Sequence, residues 1–452
     1  MINLIEIMTP SIWIDYEKRL EKIIEQKFVI KRKNFADLKK YLTNQETKFK
    51  VLSGLRRIGK TTTLYQLINF LHNEKKVKLA KIFYYSLDKL SVNGIKSEEF
   101  KREVQIAIET DKIEYIFLDE IQDLIAWKKW LKILYDDVCV IYRKNIKIIA
   151  TGSNCLEIND NEDGIGRFDM QNIFPWSYEE YQQLLMSKKI SNKNSFDEYL
   201  TFGQFPEFVQ PTIKNFEKFD GLKTYILNET LKDIKNILKT KISMEEITRI
   251  IYYLVETTNN EINKDKMAQQ LSLNIRTLNK FLDAFVASKL LFEIEQVNAL
   301  LVTKSKRNKK YFLASPNFIC ALLHQTFAEI KMNSETNQFV GSITETIFLQ
   351  KIIFTNQNNL SVSYVKNKQN LEIDFFLKII GQKHDNKILY EIKYREVINK
   401  NMINDFFWNY DKSYIQKILI IQNALPLKHS LTQALNKKNI EIVLLKNFVQ
   451  NW

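Results

Sequence analysis

The apolar positions of this chain change period several times, and each change marks a new kind of element. Residues 12–48 carry apolar positions at helical spacing among many charges. From Lys48 the apolar runs become short and continuous: "KFKVLSG", "AKIFYYSLD", "YIFLDE" and "IKIIATGS". Amphipathic stretches separate them: "TTTLYQLINFLHN", residues 97–109 and "AWKKWLKILYDDV". Continuous apolar strands alternating with helices predict an α/β module whose parallel sheet is covered on both faces. This module, with its N-terminal helices, is expected over residues 1–170.

Residues 171–260 lose the strand signal and read as a helical segment, broken once at "FGQFPEF". The stretch 261–335 has the outline of a winged helix: "NKDKMAQQL", "NIRTLNKFLDAFVASKL", then the strands "LLFEIEQV" and "KKYFLA". Met267, Leu271, Leu278, Phe281, Leu282 and Phe285 fall at helical spacing and read as core. The second helix then presents Asn274, Arg276, Thr277, Asn279 and Lys280, and "KSKRNKK" (Lys304 to Lys310) falls where a basic wing would lie. Such a block serves either to hold DNA or to dock subunits. Residues 336–452 return to α/β order. The helix "GSITETIFLQKIIF" is followed by the strand–turn–strand "LEIDFFLKIIGQKHDNKILYEIKYRE", a helix near 400–410, and the strands "KILIIQ" and "IEIVLL".

Composition adds a partner and removes some chemistries. The net charge of +14, with an isoelectric point near 9.2, suits a polyphosphate partner, so DNA is expected beside nucleotide. Three scattered cysteines and four scattered histidines exclude a disulfide framework and a zinc cluster. No apolar run reaches the ~18 residues of a membrane span, so no membrane partner is expected and the cytoplasm is the expected location.

The turn "GLRRIGKT", Gly54 to Thr61, fits the phosphate-loop pattern G-x-x-x-x-G-K-[ST] between a strand and a helix. Gly54 and Gly59 let backbone N–H groups approach phosphate, Lys60 neutralises its oxygens, and Thr61 offers a hydroxyl to Mg²⁺. Arg57 and Thr62 join the nucleotide-contacting set, with a partner or DNA as the alternative contact for Arg57 and its neighbour Arg56. "IFLDE" places Asp119 to hold the metal and Glu120 to activate the attacking water. Ser153 or Asn154, at the tip of the next strand, is the candidate to position that water. Arg167 is the candidate transition-state arginine, supplied in cis or by a neighbouring subunit.

"GLRRIGKTT", "FLDEIQDLIAWKKWLKILYD", "ATGSN", "FPWSYEEY" and "YLTFGQFPEFV" occur in an order that resembles the prokaryotic AAA-type ATPases with a C-terminal domain of unknown function, relatives of the archaeal ATPases. The resemblance runs from about residue 30 to the end, and is more specific in the first half. It implies ATP and Mg²⁺ as cofactors, ATP hydrolysis, and nucleotide roles for Gly54, Gly59, Lys60, Thr61, Asp119 and Glu120. It also implies a restriction-endonuclease-like fold for the C-terminal α/β domain. Gly203-Gln204 stands where the family usually has two glycines.

Metal-dependent nucleases of that fold hold Mg²⁺ between carboxylates on adjacent strands, with a lysine two residues on to orient the attacking water. Asp374, Glu391 and Lys393 supply that set, residues 391 and 393 share one strand face, and Glu345 on the preceding helix can complete it. The other reading is an exposed charged hairpin. The expected protein is therefore a Mg²⁺-dependent, ATP-hydrolysing AAA-type protein acting on DNA, with self-association through the AAA-type module. An ATP-gated DNA endonuclease, with genome defence as its setting, and a nucleotide-switched protein-interaction module are the alternatives.

Overall fold

In the computed structural model the described residues run from 16 to 450, apart from 27, 29, 111, 154–165, 192–194, 258–259, 298–303, 356–359, 380–386, 396–397, 411–414 and 423–428. The chain forms two compact units, Met1–Phe174 and Pro175–Trp452.

The first unit is built on a parallel sheet of five strands: β1 (Phe49–Gly54), β2 (Ile82–Ser86), β3 (Tyr115–Asp119), β4 (Lys147–Ser153) and β5 (Phe168–Ile173). Their spatial order is β2-β3-β4-β1-β5. β1, β2 and β4 are buried along their whole length, as continuous apolar runs require between two helical layers. One face packs Phe83, Tyr85, Phe100, Leu118, Trp130 and Leu131 into a single core. β5 was not apparent from the pattern. Its "FDMQNI" is half polar and part-exposed, as suits an edge strand, and it crosses the expected boundary at residue 170.

The second unit begins with helices and ends in a mixed sheet of seven strands, ordered β12-β11-β10-β9-β8-β6-β7. β6 (Leu291–Val297) and β7 (Lys304–Leu313) form an antiparallel pair. β8 (Leu360–Lys366), β9 (Glu372–Ile379) and β10 (Lys387–Lys393) form an antiparallel meander. β11 (Ile415–Ile421) and β12 (Ile440–Leu444) then add in parallel. The helix Phe339–Thr355 precedes the meander, and Asp405–Asn409 follows it.

β6 pairs in parallel with β8, so the strands of the expected winged helix continue the C-terminal sheet. The expected boundary at 335/336 therefore falls inside one sheet. The expected basic wing, Lys304 to Lys310, lies within strand β7 (Lys304–Leu313); the preceding residues 298–303 lie outside the described residues. Lys309 pairs with Glu293 at 2.5 Å, while Lys310 is buried against Glu372. These two lysines are spent within the fold rather than presented to a partner. Asn274 is likewise committed: its Oδ1 accepts the Arg276 N–H at 2.8 Å as the cap of helix Ile275–Ala287. Arg276 and Lys280 stay exposed on that helix.

The departure Gly203-Gln204 has a clear use. Gln204 is fully buried; its side chain meets Tyr199, Ser315 and Gln350, and its N–H donates to Asn317 Oδ1 at 3.0 Å. Gly203 could not carry a Cβ, which would stand 2.7 Å from the Tyr199 ring.

Candidate functional site

β1 ends in the phosphate loop, and two glycines shape that loop for different reasons. A Cβ on Gly54 would lie 2.3 Å from the Ile173 carbonyl oxygen, so the close approach of β5 requires glycine there. Gly59 has φ 97° and caps helix Lys60–Asn69, a left-handed position that glycine adopts freely. Arg57, exposed at the loop's outer turn, is also left-handed, with φ 64°. The Lys60 ammonium folds inward and donates to the carbonyls of Gly54 at 3.0 Å and Leu55 at 2.9 Å. Thr61 and Thr62 begin the helix behind the loop, whose N-terminal dipole faces any bound anion.

β4 lies between β1 and β3, so the acidic strand end stands one strand away from the loop strand. Side chains bridge the gap. Thr61 Oγ1 donates to Asp119 Oδ2 at 2.7 Å, and Thr151, from β4, donates to Asp119 Oδ1. Asp119 is buried, which raises its pKa; the two hydroxyls act in the opposite direction. These donors fit a Mg²⁺ ion: a buried carboxylate and a threonine hydroxyl at the mouth of an anion-binding loop are hard oxygen ligands of the kind it takes.

Glu120 follows directly, with φ 53° and ψ 55°, and opens the short 3₁₀ turn Ile121–Asp123. Its carboxylate accepts from Gln122 Nε2 at 2.5 Å, and Gln122 Oε1 accepts the Ser153 N–H at 3.2 Å. Ser153 is buried at the tip of β4, at the same sheet edge; Asn154 lies outside the described residues. Arg167 is not at this edge. It precedes β5, where its carbonyl accepts the Phe49 N–H, and its Nε donates to Asp136 at 3.1 Å. β5 runs parallel to β1 from Phe168 to Ile173, so Arg167 lies about 20 Å from the Gly54 level. A role for Arg167 on its own chain's phosphate is thereby corrected: a strand's length separates them.

Three residues of this edge escaped the sequence reading. Arg32 donates to the carbonyls of Ile58 and Phe174, both at 2.6 Å, and braces the loop from outside. Thr151 and Gln122 hold the two acids. Thr151 shares β4's face with Ser153, two residues on, and that spacing was the one available signal.

The second unit assembles the C-terminal set. The register that pairs Tyr390 with Phe375 brings Glu391 level with Asp374. Asp374 Oδ2 accepts the Ile392 N–H at 2.7 Å, and Lys393 Nζ reaches Glu391 Oε1 at 2.7 Å, so 391 and 393 do share a face. Ile373, Phe375 and Ile392 are buried: Ile373 packs with Val365, Phe376 and Leu389, and the Phe375 ring lies against those of Phe312 and Phe348. Burial and the nearby Asp374 push the Glu391 carboxyl up to about 8 and raise Glu345 well above its ordinary value. Burial would lower Lys393, but Asp374 and Glu391 outweigh it and raise its pKa. Glu391 is 1% exposed, and its Oε2 has no hydrogen-bond partner. The four residues thus share one electrostatic cluster. Among the described residues, however, no three acidic, histidine or cysteine side chains stand as a ready metal-binding group, which departs from the expected triad of Glu345, Asp374 and Glu391.

A phosphate loop on a five-stranded parallel sheet, with an acidic strand end beyond an intervening strand, defines the first unit as an AAA-type P-loop ATPase module. Residues 46–182 match the model of the AAA domain, and residues 193–329 match a domain of unknown function (DUF8612). The second match covers the helices and the β6–β7 pair rather than the last α/β stretch, where the resemblance had placed the domain of unknown function. The chain is similar to an uncharacterized protein of Methanocaldococcus jannaschii, 25% identical over 80% of this chain and 78% of that one. An uncharacterized protein of Haemophilus influenzae is 24% identical over 64% of this chain and 72% of its own length. Among solved structures, Aeropyrum pernix Orc1 in complex with DNA is 10% identical, covering 68% of this chain and 97% of that one, with a TM-score of 0.31. A variant of Thermotoga maritima RuvB is 14% identical over 69% and 94%, with a TM-score of 0.29. No described helix is long and apolar enough to cross a membrane.

Proposed function

We propose that the protein is a Mg²⁺-dependent ATPase of the cytoplasm whose nucleotide cycle drives an action on DNA. The observation that carries the ATPase reading is the 2.7 Å contact between Thr61 and Asp119, which joins the phosphate loop to the acidic strand end across β4. Lys60 leaves the loop carbonyls for phosphate oxygens, and Gly54, Arg57, Gly59, Thr61 and Thr62 line the nucleotide. Asp119 and Thr61 hold Mg²⁺, which supplies charge neutralisation at the phosphates when bound. Glu120 takes the proton of the attacking water, and Ser153 orients that water. Lys60→Ala should abolish nucleotide binding. Glu120→Gln should keep binding and lower phosphate release about 100-fold or more. Hydrolysis unchanged in Glu120→Gln removes the assignment of the base.

The action on DNA rests on the net charge of +14 and on exposed Arg276 and Lys280 of the second unit. DNA-stimulated hydrolysis that weakens with salt supports it. Indifference to DNA favours a nucleotide-switched protein-interaction module instead. Assembly of copies through the AAA-type unit belongs to the same reading and is checked by light scattering with and without nucleotide.

A second reading is favoured by one observation: the partnerless, buried Oε2 of Glu391 beside Asp374, Glu345 and Lys393. In it the order helix, β8-β9-β10 meander, helix, β11 is a restriction-endonuclease-like domain. Glu345, Asp374 and Glu391 would then hold a divalent ion, and Lys393 would orient the attacking water, for ATP-gated DNA cleavage with a place in genome defence. Plasmid nicking with Mn²⁺ that is lost in Asp374→Ala and Lys393→Ala supports this. Nicking that persists in both variants sinks it.

A further inference from the structure

We infer that Gln122 is a positioning residue of the ATPase site, tying the carboxylate of Glu120 to the tip of β4. The inference rests on the reading of Glu120 as the base. Glu120 sits on the first residue beyond β3, on a left-handed backbone, where its side chain alone has no strand ladder to aim it. The residue two positions on provides the aim: Gln122 Nε2 donates to Glu120 Oε2 at 2.5 Å and Gln122 Oε1 accepts the Ser153 N–H at 3.2 Å.

The polarity of that amide is dictated by its partners. An ionised carboxylate only accepts and a backbone N–H only donates, so reversing the amide would break both bonds at once. One side chain therefore reads two groups, the base and the end of the strand next to β1. The 3₁₀ turn Ile121–Asp123 makes the reach possible, because it folds residue 122 back toward the edge that β3 has just left. Displacement of Ser153, when the γ-phosphate and attacking water are seated beside it, is passed to Glu120 through a single amide.

The test is single-turnover hydrolysis with excess enzyme, alongside nucleotide affinity by fluorescent-ATP titration, for Gln122→Ala, Gln122→Glu, Glu120→Gln and Glu120→Gln combined with Gln122→Ala. Gln122→Glu keeps the shape and an acceptor for Ser153 but loses the donor to Glu120, so it carries the test should the alanine variant fold poorly. Both Gln122 variants should lose at least tenfold in hydrolysis rate while Kd stays within twofold. Gln122→Ala should cost nothing further once Glu120 is glutamine. Wild-type rates in either Gln122 variant overturn the inference and leave the ATPase reading standing. So does an equal loss with and without Glu120, which marks a role in packing. If Glu120→Gln itself hydrolyses at the wild-type rate, the reading of the base fails and the inference falls with it.

Discussion

Asp119 and Glu391 are both buried carboxylates, yet their surroundings treat them differently. Asp119 has a hydroxyl donor on each oxygen, whereas Glu391 has a lysine on one oxygen and nothing on the other. The Glu391 carboxyl, pushed up to about 8 from an ordinary 4.5, keeps its proton in the native state over a range where the unfolded chain releases it. Below pH 4.5 both states hold the proton; between 4.5 and 8 the native state holds more, so stability falls as pH rises through that window. Thermal melts in EDTA should therefore show the second unit losing several degrees of Tm between about pH 5 and 8. Glu391→Gln, which imitates the neutral acid, should flatten that slope. At this scale the residues that face phosphate were readable, because phosphate demands fixed residue types at fixed spacing. Arg32 and Gln122 were not, since a side chain that braces a loop carbonyl or a carboxylate has no spacing of its own.

Strands with continuous apolar runs declared themselves, and those with another reason to exist did not. β5 is half polar, but its end fixes the phosphate loop: the Ile173 carbonyl oxygen occupies the space a Gly54 side chain would need. Gly54→Ala should therefore force β5 away from β1. We expect a loss of about 1–3 kcal/mol in stability, as overpacked sites show, and weaker nucleotide binding, measured by urea titration and fluorescent-ATP binding. Unchanged stability would mean that β5 yields without cost. The expected wing failed for the opposite reason. Five cations in seven residues look like a solvated turn, yet β7 carries them, and Lys309 and Lys310 answer Glu293 and Glu372 across the sheet. Local charge density cannot reveal a partner 62 residues away.

At the scale of the whole chain, two α/β regions joined by helices were legible, but their border was not. The parallel pairing of β6 with β8 is non-local, and nothing in either strand announces its partner. A fragment comprising residues 336–452 should consequently expose β8 as an open apolar edge and aggregate, while residues 175–452 should stay monodisperse in size-exclusion chromatography. A stable, monodisperse short fragment would show that the last α/β stretch is independent after all.

That same pairing also orders events in time. During synthesis β6 and β7 leave the ribosome well before β8 exists, so their hairpin waits with one edge unpaired until residue 365 has emerged. The second unit cannot close its sheet piecemeal, and a stalled or nicked chain that stops short of β8 would leave a sticky ribbon rather than a smaller working protein.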